Sequence, residues 1–150
     1  MKIVKKDLLT CFEDGIEAFG HCSNCFQRFG RGAALAIRNK YPEAYRADLD
    51  YSGNPEDRLG NFSTAKVEGG VIYNIYGQLT WGKPGRNLNY EAFYTGLVAV
   101  REDMKKKGLK TIAFPYLIGC ALAGGTWEIV HAMIQSELAD EGIDVTFYQL

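Results

Sequence analysis

Three times along this chain a short run of β-forming residues passes through a glycine-bearing stretch into a segment with helical spacing. That recurrence constrains the fold most, because strands alternating with helices are accommodated by a sheet whose faces the helices cover. Strands are expected at Lys2 to Leu8, Gly15 to Cys22, Phe62 to Val67, Val71 to Tyr76, Thr111 to Phe114 and Asp144 to Tyr148. Helices are expected at Gly30 to Tyr41, stopped by Pro42, at Asn89 to Lys106 and at Thr126 to Ala139, with a short one over Glu43 to Asp48. Phe93, Leu97, Val100 and Met104 recur at spacings of three and four and so share one helical face, as do Trp127, Val130, Ile134 and Leu138. Gly108 is the stop signal for the longer helix. Glu68-Gly69-Gly70 reads as the turn of a hairpin, which puts one antiparallel pair into an otherwise parallel sheet. The expected class is an α/β sandwich with a mixed sheet.

A chain of 150 residues fits one domain, since single domains cluster at roughly 100–150 residues. The formal net charge of −1 argues against a nucleic-acid partner, which would call for a basic surplus or stripe. Lys105, Lys106 and Lys107 form the only basic run, and they sit where cations favour a helix C-terminus. No apolar run approaches the roughly 18–20 residues of a membrane span, and the N-terminal segment lacks the apolar core of a signal peptide. The expected location is the cytoplasm, with Cys11, Cys22, Cys25 and Cys120 reduced.

Ligands of open α/β sheets sit beyond the carboxyl ends of the strands, which directs attention to the residues after Cys22, Tyr76 and Phe114. The first segment runs His21-Cys22-Ser23-Asn24-Cys25-Phe26-Gln27-Arg28-Phe29-Gly30-Arg31-Gly32-Ala33-Ala34 and opens a helix through Gly-x-Gly. Free N–H groups at a helix N-terminus attract phosphate, although a tight turn needing glycine accounts for the motif equally well. The second, Pro115-Tyr116-Leu117-Ile118-Gly119-Cys120-Ala121-Leu122-Ala123-Gly124-Gly125-Thr126-Trp127, is rich in small residues whose main-chain N–H groups can curl around an anion. Two such loops suggest a diphosphate held between them. The third, Asn74 through Lys83 and on to Tyr90, is long, polar and aromatic, as loops that serve a site often are. Asp7, at the end of the first expected strand, could accept a hydrogen bond from an adenine amino group or simply be solvated.

Other chemistries find less support. Gly30-Arg31-Gly32 lacks the third glycine of a dinucleotide fingerprint, since Leu35 stands there, and it follows the second strand instead of the first. Cys22-Ser23-Asn24-Cys25 is a CxxC without a second ligand pair, so neither a metal nor any other cofactor is expected. His21 and Cys120 are candidates for a Cys–His pair only through their loop positions, and Cys120 as a small apolar residue is the plainer alternative.

Lys6-Asp7-Leu8-Leu9, His21-Cys22-Ser23-Asn24, Gly30-Arg31-Gly32-Ala33-Ala34 and Ile118-Gly119-Cys120-Ala121-Leu122-Ala123-Gly124-Gly125-Thr126-Trp127 occur in the order found in macrodomains. The chain resembles that family over nearly its whole length. It looks closest to the small macrodomains described as ADP-ribose 1″-phosphate phosphatases, a group common in phage genomes, which would place it in a host cytoplasm. The resemblance implies one macrodomain over residues 1–150, a three-layer α/β/α sandwich around a mixed sheet. It implies that Asp7 and the Leu8 backbone bind adenine, with Tyr148 packing beside it. It implies that Ile118 and the stretch Gly119, Cys120, Ala121, Leu122, Ala123, Gly124 and Gly125 wrap the diphosphate. Asn24 with Gly30, Arg31, Gly32 and Ala33 would hold the distal ribose. Macrodomains that remove ADP-ribose from acidic side chains resemble this chain but carry a lysine and an aspartate where it has Gln78 and Ala123. Neither replacement can form an amine adduct or act as a general base.

The function expected is therefore a phosphatase that cleaves ADP-ribose 1″-phosphate, a small-molecule substrate. His21 would be the general acid or base, since its unperturbed pKa of about 6.5 suits proton transfer. Asn24 would orient the ribose or an attacking water. A non-catalytic ADP-ribose reader or nucleotide-sequestering module is the alternative, and a hydrolase of ADP-ribosyl adducts on protein or nucleic acid is a third.

Overall fold

The computed structural model describes residues 1–150. Six strands form one sheet: β1 (Lys2–Val4), β2 (Ala18–Asn24), β3 (Phe62–Val67), β4 (Gly70–Gln78), β5 (Thr111–Pro115) and β6 (Asp144–Tyr148). Their spatial order is β1-β6-β5-β2-β4-β3, with every pair parallel except the β3–β4 hairpin. The helices are α1 (Gly32–Lys40), α2 (Pro42–Asp50), α3 (Pro55–Arg58), α4 (Tyr90–Lys107) and α5 (Trp127–Glu137).

Helices cover both faces, which is why β4 reads as an almost unbroken buried run. On one face Tyr73, Ile75, Ile112, Phe114 and Phe147 pack against Leu97, Val100 and Met104 of α4 and Val130 and Ile134 of α5. Both helices turn inward the faces that their residue spacing marks. On the other face Phe19, Ile72 and Ala113 meet Ile37 of α1 and Ala44 of α2. This is the three-layer sandwich with a mixed sheet.

Several element boundaries differ from the sequence reading. The first strand stops at Val4, and Leu8–Asp14 is a 3-10 helix in place of a strand end. Asp7 caps that helix, its carboxylate accepting from the Leu9 N–H at 3.0 Å, while Leu8 and Cys11 are buried one 3-10 turn apart. Gly15, at φ 86°, closes the same helix, so β2 starts only at Ala18 and continues to Asn24. Pro42 ends α1 and at once occupies the first turn of α2, where its missing N–H costs nothing. Gly70 belongs to β4, leaving Glu68 and Gly69 as the turn. No helix is long and apolar enough to cross a membrane.

Candidate functional site

The sheet order puts β2 between β5 and β4, so their three carboxyl ends lie side by side. The loops leaving them enclose a cavity of about 570 Å³. Backbone bonds stitch the loops together. Cys25 N–H donates to the Leu79 carbonyl at 3.1 Å, and the N–H groups of Asn87 and Leu88 both donate to the Ala123 carbonyl, at 2.8 and 3.0 Å. These bonds settle the course of residues 77 to 89. Lys83 is tied to Asn87 through both side-chain amide atoms of Asn87 and stands outside the cavity lining.

The loop after β2 is shaped by its own polar side chains. Asn24 accepts from the Phe26 N–H and donates to the Arg28 carbonyl, each at 2.9 Å. Gln27 is held at φ 60°, a conformation uncommon for a side-chain-bearing residue, by hydrogen bonds to the carbonyls of Asp48 and Leu49. Arg58, buried, donates to the Cys25 carbonyl at 2.8 Å. The chain then enters α1 through Gly32 at φ 56°, where a side chain would be strained. The first helical N–H groups, those of Gly32, Ala33 and Ala34, find no acceptor within the protein, and all three residues line the cavity.

The loop after β5 divides its N–H groups in two. Those of Ile118, Cys120, Gly124 and Gly125 bond to the carbonyls of Pro115, Leu117, Ala121 and Gly119, closing the loop on itself. Those of Gly119, Ala121, Leu122 and Ala123 have no acceptor in the protein, and these four residues line the cavity. Cys120, Gly124 and Gly125 do not line it. Gly124 and Gly125 allow close packing: a Cβ on Gly125 would lie 2.6 Å from the Gly119 carbonyl, and one on Gly124 3.0 Å from the Gly85 carbonyl. Leu117, another lining residue, is held at φ 63°.

The charges around the cavity have one sign. Arg28 and Arg31 line it, while Asp, Glu and Lys are missing from its walls. The Arg28 guanidinium lies 5.7 Å from the centre of the Trp81 ring, which also faces Phe26 at the rim. Gln78 and Ala123 are both lining residues. A concave site with two sets of free N–H groups, two guanidiniums and no carboxylate is built for an anion.

His21 also lines the cavity but is only 1% exposed. Its Nε2 lies 2.7 Å from Asn74 Oδ1, and its ring meets Phe29 edge-on at 5.2 Å. Burial pushes its pKa down to about 4, against a smaller upward pull from the Asn74 bond. The imidazole is therefore neutral at pH 7, which corrects the expectation built on its ordinary value. It can accept a proton or a hydrogen bond there, but it is no reservoir of protons. Ser23, two positions on, carries a buried hydroxyl with no protein partner, and so does His21 Nδ1. The cysteines are protonated, since burial pushes Cys22 up to about 12, Cys25 up to about 11, and Cys120 upward as well. The CxxC thus presents no thiolate for redox exchange or nucleophilic attack.

Of the residues singled out from sequence, His21, Asn24, Gly30, Arg31, Gly32, Ala33, Ile118, Gly119, Ala121, Leu122 and Ala123 come together around the cavity. Asp7, Leu8 and Tyr148 lie outside its lining. Asp7 is exposed; Leu8 and Tyr148 are buried in one apolar cluster, and the Tyr148 hydroxyl donates to Asp14 at 2.7 Å. Arg28 and Leu117 were passed over by sequence reasoning. An arginine set among aromatics just past a strand end was the available signal for Arg28; nothing in the sequence marks the backbone of Leu117.

No family model matches the chain. It is 27% identical to the human ADP-ribose glycohydrolase OARD1 over 98% of its own length and 90% of that protein. It is 25% identical to a 17.5 kDa protein from the tk-vs intergenic region of Enterobacteria phage T4, over 91% of this chain and 88% of that one. Among solved structures it matches a macrodomain protein from Streptomyces coelicolor with a TM-score of 0.75 and 26% identity, covering 98% of this chain and 97% of the other. With its sheet order, its two helical layers and a cavity at the carboxyl ends of β5 and β2, the chain has the macrodomain fold and is similar to macrodomain proteins over nearly its whole length.

Proposed function

We propose that the cavity binds ADP-ribose and that the protein hydrolyses ADP-ribose 1″-phosphate to ADP-ribose and inorganic phosphate. The observation that carries this reading is the match between N–H groups without a protein acceptor and the residues that line the cavity: Gly32, Ala33 and Ala34 on one wall, Gly119, Ala121, Leu122 and Ala123 on the other. Such a pair of walls suits a diphosphate, and Arg28 and Arg31 add charge for a terminal phosphate. OARD1, a relative, is by name an ADP-ribose glycohydrolase. Asp7 and the Leu8 backbone, with Tyr148 beside them, would take the adenine end. Asn24 and the turn from Gly30 to Ala33 would hold the distal ribose.

In the reaction a water oxygen forms a bond to phosphorus as the bond from phosphorus to the 1″ oxygen breaks. Neutral His21 takes the water proton and returns one to the departing sugar oxygen, so that atoms and charge balance. Free N–H groups and guanidiniums offset charge on the transferring phosphoryl. Replacing His21 by Ala should then lower turnover roughly 10²-fold, the usual size of a general acid–base contribution.

A non-catalytic reader of ADP-ribose is the second reading, favoured by the near-complete burial of His21 and the carboxylate-free walls. Hydrolysis of ADP-ribosyl adducts is the third, and Gln78 and Ala123 on those walls weigh against a lysine–aspartate route. Phosphorus NMR of ADP-ribose 1″-phosphate with the protein decides between the first two. Free phosphate beside ADP-ribose supports the phosphatase. Shifted diphosphate signals with no turnover support the reader. Unperturbed signals overturn the ADP-ribose reading.

A further inference from the structure

A chain of buried polar side chains runs from the cavity along one helix-covered face of the sheet to α2. His21 Nε2 lies 2.7 Å from Asn74 Oδ1, and Asn74 Nδ2 donates to Ser63 Oγ at 2.9 Å. Ser63 Oγ lies 2.8 Å from the Tyr76 hydroxyl, which donates to Asp48 Oδ1 at 2.5 Å. His21, Asn74, Ser63, Tyr76 and Asp48 are all buried, with Asn74, Tyr76 and Asp48 fully so. A polar run of this length inside a small core is costly unless each bond is made.

The direction of every bond follows from the partners. Asn74 Nδ2 also faces the Ala44 carbonyl at 2.9 Å, and a carbonyl can only accept. The amide orientation of Asn74 is thereby settled, and its Oδ1 is the atom that faces His21. Since Oδ1 also only accepts, the ring nitrogen opposite it must carry the proton. At the far end Tyr76 spends its single proton on Asp48, so the Ser63 hydroxyl donates to Tyr76. All donors point toward the buried carboxylate.

We propose that Asn74 is a positioning residue, and that with Ser63, Tyr76 and Asp48 behind it, it fixes His21 as the Nε2–H tautomer, leaving Nδ1 as a bare acceptor for one hydrogen-bond donor of the ligand. Nδ1 is buried and has no partner in the protein, and His21 is a lining residue of the cavity. A buried acceptor of this kind calls for a donor, and the donor would be an alcohol of the ribose end or the water that it holds. Ser23 Oγ, also unpartnered and also lining the cavity, stands two positions along the same strand face to share it. The inference deepens the proposed function and rests on it only for the identity of the donor. An amide in the chain blocks simple proton relay, so the device sets tautomer and polarisation and does not conduct protons.

The test is a long-range proton–nitrogen NMR spectrum of histidine-labelled protein at pH 7. The chain has two histidines, so His131→Gln assigns the signals. The expected wild-type pattern is a protonated Nε2 and an unprotonated Nδ1 for His21. The Nδ1–H tautomer, or a rapid mixture, overturns the proposal. Asn74→Leu should convert the pattern to a mixture, and a folded Asn74→Leu with the wild-type pattern overturns the role of Asn74. Tyr76→Phe and Ser63→Ala keep the Asn74–Ala44 bond, and so answer even if Asn74→Leu does not fold. In both, the Nε2 proton should move upfield as its chain is cut, and an unmoved resonance overturns the part played by the chain. Added ADP-ribose should move Nδ1 upfield with Nε2 unchanged. Binding seen in the diphosphate phosphorus signals without movement of Nδ1 overturns this inference and spares the ADP-ribose reading. A wild-type tautomer pattern as expected, with no ADP-ribose binding, overturns that reading and supports the positioning role.

Discussion

Lowering the pH from 7 to 5 should destabilise this protein through one buried ring. His21 keeps a pKa of about 4 in the folded chain against an ordinary 6.5, because burial disfavours its charged form. Above 6.5 both folded and unfolded chains hold the ring neutral. Between 6.5 and 4 the unfolded chain binds a proton that the folded one refuses, so stability falls as pH falls, and below 4 the loss is complete. At about 1.4 kcal/mol per pKa unit the full loss is about 3 kcal/mol, of which about 2 kcal/mol arrives between pH 7 and pH 5. Urea unfolding at the two pH values measures it, with His21→Gln as the reference that cannot titrate yet can still donate to Asn74. The wild type should lose about 2 kcal/mol more than the variant over that interval. Parallel losses in the two proteins, or a folded His21 titrating near 6.5 by NMR, would refute the burial argument.

Three further outcomes are expected. Gly125→Ala places a Cβ 2.6 Å from both the Gly119 carbonyl and Leu88 Cδ2, and should cost about 1–3 kcal/mol in thermal unfolding, the usual range for overpacking. Asp7→Ala removes the cap on the Leu9 N–H and should cost about 1 kcal/mol. Asp7→Asn keeps a capping oxygen, so calorimetry showing weaker ADP-ribose binding in both variants would assign the carboxylate itself to the adenine end; unchanged binding in Asp7→Asn would remove it. Arg28→Ala and Arg31→Ala should each weaken ADP-ribose binding by about 1–3 kcal/mol and flatten its dependence on salt, whereas an unchanged salt dependence would exclude both from contact with phosphate.

Much of the architecture could be read from spacing. The buried faces of α4 and α5 follow from residues three and four apart, and the β3–β4 hairpin from two β-rich runs around Glu68 and Gly69. The 3-10 helix at Leu8–Asp14 escaped because it has no 3.6-residue period, and its onset depends on an aspartate cap that looks like any exposed acid. The site was legible as three loops after strand ends, since glycine clusters mark where chain turns toward a ligand. Which N–H groups in those loops remain free was not legible. Cys120 and Ala121 are adjacent small residues, yet one N–H closes the loop on Leu117 while the other, in a residue that lines the cavity, has no acceptor in the protein.

Local pattern thus carries the layers of this protein and the strand ends where its cavity opens, because each depends on residues near one another in the chain. The chemical state of the site is settled at long range. His21 is an ordinary imidazole in the sequence; its neutrality comes from burial, with Phe29 edge-on against its ring, and its tautomer from Asn74, 53 positions away. Asn74 in turn is oriented by Ala44 and Ser63, and Tyr76 reaches Asp48 across 28 positions. Burial and hydrogen-bond direction are properties of the packed sheet, and only the order β2-β4-β3 brings those groups into one line.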